Sequence, residues 1–214
     1  MTEIEFNKEK HWDTVYQNKS GDQLSWYQAY PGVSMQFISQ YGSGKDAHLI
    51  DIGGGTSNLV DILVQKGYEH VAVLDISTVA LEGAGERLGD KARQIEWVHS
   101  DILEFHPKEK YDIWHDRAAF HFLTEERKVE HYVRLAAEAI KDGGLLILGT
   151  FSEKGPVECS NLPVHRYSQE QLEALLYAWF TKIECINTDH VTPRETLQNF
   201  TFCAFRRNQV QALN

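Results

Sequence analysis

Short apolar runs alternate along this chain with stretches in which apolar side chains recur every three to four positions. The runs at 48–52, 71–75, 95–99, 111–115 and 145–150 predict strands. The stretches at 57–66, 77–88 and 124–141 predict helices. Strand and helix in strict alternation predict an α/β fold, with a mostly parallel, doubly wound sheet covered by helices on both faces. The last third departs from that rhythm. A loop over 151–167 contains Gly155-Pro156 and Leu162-Pro163, and a helix starts at Ser168, with Gln171 in capping-box position. Strand-like runs at 182–188 and 200–205 then follow each other, joined by a turn region containing Thr192-Pro193. That connection is too short for the crossover helix of a parallel pair, so the last pair is expected to be antiparallel.

Ahead of the alternation, residues 8–40 are dense in aromatics: Trp12, Tyr16, Trp26, Tyr27, Tyr30 and Phe37. Trp12 and Tyr16 lie one helical turn apart, and 33–41 reads as a second helix. No linker rich in Pro, Gly or Ser divides the 214 residues, so the chain is expected to be a single domain over 1–214. A formal charge of −10 disfavours a nucleic-acid partner, which requires a basic stripe. No apolar run approaches the roughly 20 residues that cross a bilayer, and Met1 to Phe6 lack a basic segment followed by an apolar one. Neither a membrane partner nor a secretory signal is expected, and the location expected is cytoplasmic. The widely spaced Cys159, Cys185 and Cys203 fit a reducing compartment, with Cys185 and Cys203 as small apolar residues of strands.

Ligands of doubly wound sheets bind outside the carboxyl ends of the strands, and four such ends carry chemistry here. The first runs into Asp51-Ile52-Gly53-Gly54-Gly55-Thr56-Ser57. Its glycines permit close backbone approach, and the following helix start directs N–H groups toward a ligand. A leading carboxylate suits a ligand with a cationic end better than a pyrophosphate. Asp75 ends the second strand, 22 residues beyond Gly53, at the offset of a ribose-binding acid. Asp101-Ile102 follows the third, and His115-Asp116-Arg117 closes the fourth. Asp75 and Asp101 each also have a plain capping role open to them, Asp75 before Ser77 and Asp101 before Phe105. Acidic groups at three successive strand ends nevertheless favour one shared ligand over independent caps. The ten histidines show no close metal-ligand spacing, so no metal is expected.

Taken together, the acidic glycine loop, Asp75, Ser100-Asp101-Ile102 and the terminal hairpin resemble the class I S-adenosylmethionine-dependent methyltransferases. The resemblance runs from Trp12 to Arg206, with Ser57 standing where the family often has a third glycine. Segments around Ser25-Trp26-Tyr27-Gln28, Trp114 to Phe122 and Cys159 to Ser168 are similar to small bacterial methyltransferases, mostly without assigned substrates. The resemblance implies a seven-stranded sheet of order 3-2-1-4-5-7-6 with an antiparallel last strand. It also implies an aromatic-rich helical lid over 1–43, a cofactor-binding half over 44–150 and a substrate-side part over 151–214.

In that frame the cofactor is S-adenosylmethionine and its product S-adenosylhomocysteine. Asp51, Gly53, Gly54 and Gly55 face the methionine end, Asp75 with Ile76 the ribose, and Asp101 with Ile102 the adenine. Tyr16 and Trp26 serve as a lid and Trp12 as core, while Ser77 lines the nucleoside pocket. Transfer is an in-line displacement. His115 and Asp116 are the candidates for a general base, and Arg117, His121 and Arg166 are the candidates for acceptor binding. Cys159 alone does not make a thiol set for a soft metalloid acceptor. The acceptor expected is a small molecule. A protein lysine is the alternative, since related protein modifiers share a start like Trp12-Asp13-Thr14-Val15-Tyr16. An NAD(P)-dependent oxidoreductase is a lesser alternative: its G-x-G-x-x-G pattern fails at Asn58, and Tyr41-x-x-x-Lys45 precedes the glycine loop. A non-catalytic S-adenosylmethionine-binding module is the other.

Overall fold

Four parallel connections bring together β1 (His48–Ile52), β2 (His70–Asp75), β3 (Ile95–His99), β4 (Tyr111–Arg117) and β5 (Ile140–Phe151). They belong to a computed structural model that describes residues 6–209. The reading of residues 1–5 and the outer limits of the expected domain lie outside the described residues. A two-residue pair, β6 (Glu158–Cys159) and β7 (Leu162–Pro163), interrupts the loop after β5. The last strands, β8 (Phe180–Val191) and β9 (Leu197–Arg207), complete the sheet in the order β3-β2-β1-β4-β5-β9-β8. β9 is antiparallel to both β5 and β8. This is the expected order, with β8 and β9 in the places of strands 6 and 7.

The helices are α1 (Lys8–Asn18), α2 (Gly32–Tyr41), α3 (Leu59–Gln65), α4 (Thr78–Leu88), α5 (Glu126–Ala139) and α6 (Gln169–Leu176). α5 presents Val129, Tyr132, Val133, Ala136 and Ala137 to the sheet at helical spacing, and its other face is polar. Ser168 caps α6, and the capping box with Gln171 forms as expected. α2 buries Met35, Phe37 and Ile38 against the opposite face of the sheet. The expected helix over 124–141 stops at Ala139 because Ile140 is already extended and begins β5, whose pairing with β4 slips between Tyr111 and Ile113. No helix among the described residues is long and apolar enough to cross a membrane.

Side chains alternate between the two faces of a strand, and this divides the core. Ile50, Ile52, Leu74 and Trp114 pack on one side with α5, while Leu49, Val71, Val73 and Ile113 pack on the other with Phe37. The same alternation sends His115 and Asp116 to opposite faces.

One expectation is corrected here. Cys185 and Cys203 face each other in the β8–β9 register and form a disulfide, so they are not merely small apolar residues. Pairing depends on cross-strand register, which spacing along the chain does not reveal. Cys159 is the free cysteine, and it is buried.

Candidate active site

The glycine loop leaves β1 at a left-handed turn. Gly53 has φ +63, and a Cβ there would come within 2.6 Å of Ala119 Cβ. Gly55 has φ +48, and its Cβ would lie 2.5 Å from the Tyr16 hydroxyl and 3.1 Å from Asp75 Oδ2. Both positions therefore need glycine for conformation and for space. Gly54 N–H donates to the Leu74 carbonyl at 3.1 Å, which holds the loop against the end of β2.

Asp75 is almost enclosed, with 5% exposure. Its Oδ1 accepts the Ser77 N–H at 2.8 Å, and the N–H groups of Gly55 and Ile76 also point to it. Burial nevertheless outweighs these donors and pushes the carboxyl up to about 7, with the charge of Asp51 adding to the rise. Asp101 caps the turn Ile102–Glu104 through the Leu103 N–H at 3.0 Å, and its Oδ2 pairs with Lys8 Nζ at 2.7 Å. Both acids thus have the capping role and also face the cavity described next.

A cavity of about 300 Å³ opens above these strand ends. Asp75, Ile76, Asp101 and Ile102 line it, as do Gly53, Arg117, Ala118 and Ala119. Lys8, Trp12, Tyr16 and Trp26 line it as well, as do Cys159, Leu162 and Pro163 around the β6–β7 pair. Trp12 joins Trp26 and Phe122 in edge contacts, with ring centroids 5.9 and 5.1 Å away. Ser77 Oγ donates to Asp13 Oδ1 at 2.6 Å, tying α1 to the start of α4. Beneath the glycine loop a smaller cavity of about 40 Å³ is bounded by Asp51, Gly53, Gly54, Ser34, His115 and Arg117.

The structure brings Gly53, Asp75, Ile76, Asp101, Ile102, Tyr16, Trp26 and Arg117 together around the larger cavity. Asp51 and Gly54 border the smaller one. Four expected acid–base or acceptor-binding residues are placed otherwise. His115 is buried, with Nδ1 2.7 Å from Asp51 Oδ1 and Nε2 2.9 Å from Ser34 Oγ, so both ring nitrogens are engaged within the protein. Asp116 lies on the opposite face and lines neither cavity. Its Oδ1 accepts the N–H groups of Ala119 and Phe120, each at 3.0 Å, and its Oδ2 accepts the Tyr132 hydroxyl at 2.7 Å. Burial raises this carboxyl to about 6.

His121 is fully enclosed beside Phe151, lines neither cavity, and is depressed to about 3 by burial and by the nearby Arg117. Arg166 donates to the Glu153 carbonyl at 2.7 Å and braces the loop without reaching either cavity. Ser77 caps α4 through the Ala80 N–H at 3.1 Å and does not line the cavity. Lys8, Phe122, Ala119, Leu162 and Pro163 line the cavity as well, outside the residues that sequence reasoning singles out for it. Trp12, for which the Trp12–Tyr16 spacing predicts a place in the core, lines the cavity instead. Lys8 and the β6–β7 pair leave no such signal.

The arrangement suits a nucleoside ligand. Asp75 offers acceptor oxygens to hydroxyls, Asp101 offers one to an amine, and Ile76 and Ile102 supply apolar contact. Gly55 itself lines neither cavity, because the Tyr16 hydroxyl fills the space beside its Cα.

Residues 49–144 match a methyltransferase-domain family. Over 128 residues the chain is 27% identical to an eEF1A lysine and N-terminal methyltransferase of Mus musculus. That match takes in 58% of this chain and spans 18% of the relative's length. Among solved structures, one from work on the conversion of a disulfide bond into a thioacetal group during echinomycin biosynthesis superposes with a TM-score of 0.75 at 20% identity. The match covers 94% of this chain and 93% of that one. The Burkholderia thailandensis 1,6-didemethyltoxoflavin-N1-methyltransferase, solved with 1,6-didemethyltoxoflavin and S-adenosylhomocysteine bound, gives a TM-score of 0.68 at 14% identity. It covers 94% of this chain and 84% of that one. These structural likenesses are of fold.

Proposed function

We propose that this S-adenosylmethionine-dependent methyltransferase delivers its methyl group to a small-molecule acceptor. The observation that carries this reading is that side chains of the N-terminal region and of the β6–β7 pair line one cavity together with the ends of β1 and β4. Trp26, Cys159, Leu162 and Pro163 line the same 300 Å³ space as Gly53 and Arg117, which favours a compact acceptor over a protein surface. When bound, S-adenosylmethionine supplies a sulfonium methyl group; the acceptor's lone pair bonds to that carbon as the carbon–sulfur bond breaks, leaving S-adenosylhomocysteine.

The protein's part is mainly placement. Asp75 accepts hydrogen bonds from the ribose hydroxyls, Asp101 accepts from the adenine amine, and Ile76 and Ile102 pack against the nucleoside. The glycine loop admits the methionine end beside Asp51. Trp12, Tyr16 and Trp26 cover the site, exclude water and offer π faces to positive charge. Holding reacting atoms in near-attack geometry lowers a barrier by roughly 7–11 kcal/mol in favourable cases. His115 acts through Asp51, which it holds in place, and not on the acceptor. Asp116 organises the turn at Ala119 and Phe120.

Transfer to a protein lysine is the second reading, supported by the eEF1A methyltransferase relative. Incubation with methyl-labelled S-adenosylmethionine, a panel of thiols, amines, phenols, carboxylic acids and metalloid oxyanions, and lysate protein separates the two. Label in the small-molecule fraction supports the first reading. Label confined to precipitated protein favours the second. Binding of NADH without binding of S-adenosylmethionine would overturn both.

A further inference from the structure

We propose that Arg117 is the binding group for a carboxylate carried by the acceptor, an inference that rests on the methyl-transfer reading above. Arg117 ends β4 where the chain turns sharply, with Ala118 at φ +69, and its side chain borders both cavities beside Gly53. Its Nη1 donates to the Trp26 carbonyl at 3.0 Å, and its guanidinium lies 4.8 Å from the centre of the Phe200 ring. Nη2 is buried and has no hydrogen-bond partner. Among the described residues no carboxylate lies within ion-pair distance of the guanidinium. The nearby Asp51 acts on it at longer range, while Asp51 Oδ1 is engaged by His115.

A cation whose donor is buried and unsatisfied is costly unless a counter-ion is supplied. Burial holds this guanidinium down to about 10, which is the mark of that cost. Two further features narrow the ligand. Nη1 and the ring contact fix the plane of the guanidinium, and Nη2, enclosed and unpaired, keeps its donors in that plane. That geometry suits a small planar anion better than a diffuse charge. Arg117 is also a wall residue of both cavities, so an anion held in either lies beside it.

A carboxylate at this place has two sources, the acceptor and the methionine end of the cofactor. Calorimetry separates them by comparing S-adenosylhomocysteine with 5′-methylthioadenosine, which lacks the amino-acid end, on wild type, Arg117→Gln and Arg117→Lys. Acetate, benzoate and indole-3-acetate, each against its neutral amide, are then added to the S-adenosylhomocysteine-saturated proteins. We expect Arg117→Gln to leave both nucleoside affinities within about threefold, since the contacts that hold Asp75 and Asp101 do not involve Arg117. At about 10 mM, at least one carboxylate should raise the wild-type melting temperature by about 2 °C or more. The amides should not, Arg117→Gln should lose the effect, and Arg117→Lys should retain part of it.

The proposal is overturned if no carboxylate stabilises the wild type, or if Arg117→Gln responds equally. It is also overturned if Arg117→Gln loses tenfold or more for S-adenosylhomocysteine but not for 5′-methylthioadenosine, because the carboxylate is then the cofactor's. Failure of wild type to bind either nucleoside would instead overturn the methyl-transfer reading beneath it.

Discussion

His115 stands directly across from Asp51 in the β1–β4 register, its Nδ1 2.7 Å from the Asp51 Oδ1 and its Nε2 2.9 Å from Ser34 Oγ. The imidazole is therefore a strut between β4, the glycine-loop acid and α2. His115→Ala removes one partner of a buried pair, a change that costs roughly 3–5 kcal/mol. In a domain of this size that corresponds to a fall of about 10 °C in melting temperature. His115→Asn should recover part of it. A variant that kept its melting temperature and lost only turnover would show that His115 acts on the acceptor after all.

If Asp75 holds the ribose as proposed, cofactor affinity should depend on pH. The Asp75 folded-state value of about 7 stands above the usual 3.8. Stability associated with its protonated form is therefore present below about pH 4 and lost as pH rises through about 7. Ribose hydroxyls would donate to the ionised carboxylate, so S-adenosylhomocysteine should bind more tightly as pH rises toward that value and level off above it. Below it, affinity should fall by up to about tenfold per unit. Asp75→Asn should flatten the profile and weaken binding by roughly 1.5–3 kcal/mol. It should also raise the ligand-free melting temperature at pH 8. An unchanged affinity would remove Asp75 from the ribose site.

Gly55 and Tyr16 should show strong coupling. A methyl group on Gly55 would meet the Tyr16 hydroxyl at 2.5 Å in a backbone conformation that already disfavours side chains. Gly55→Ala should cost about 1–3 kcal/mol and weaken nucleoside binding by displacing Tyr16 from the loop. With the hydroxyl removed in Tyr16→Phe, the nearest ring atom is 3.2 Å away, so the second substitution should be tolerated better. A double-mutant cycle in thermal unfolding measures this, and strict additivity would contradict the contact.

Lys8 holds the oxygen of Asp101 that an adenine amine would use. The pair is partly solvated, with Lys8 41% exposed, so it contributes about 1 kcal/mol at most. Lys8→Ala should tighten S-adenosylhomocysteine binding up to about fivefold, and added salt should mimic the substitution in wild type. Weaker binding by Lys8→Ala would mean that the lysine contacts the ligand.

The disulfide is read out by counting thiols. Denatured, unreduced protein should show one reactive thiol, from Cys159, and reduction should raise the number to three. Three thiols before reduction would rule out the pairing.

The strands of this fold were legible because parallel strands buried on both faces read as apolar runs, and Asp51, Asp75 and Asp101 stood out at their ends. The same apolar continuity hid the direction of each polar side chain. His115 and Asp116 looked like neighbouring candidates for one base, yet the pleat sends the first to Asp51 and the second to Tyr132. Register between distant strands was equally invisible, which is why Cys185 read as an isolated apolar residue. Arg117 and Arg166 were indistinguishable as charges in loops. Only packing shows that the first borders the cavity and that the second spends its donors on the carbonyls of its own loop.

β9 is the last strand along the described residues, yet it sits inside the sheet between β5 and β8. While the chain is being synthesised, β5 therefore carries an open hydrogen-bonding edge until residues 197–207 have left the ribosome. The newborn polypeptide passes through a window in which Leu145 to Phe151, almost entirely apolar, lies next to an unfilled slot. Interrupting translation in this region should produce a sticky fragment rather than a slightly shortened enzyme.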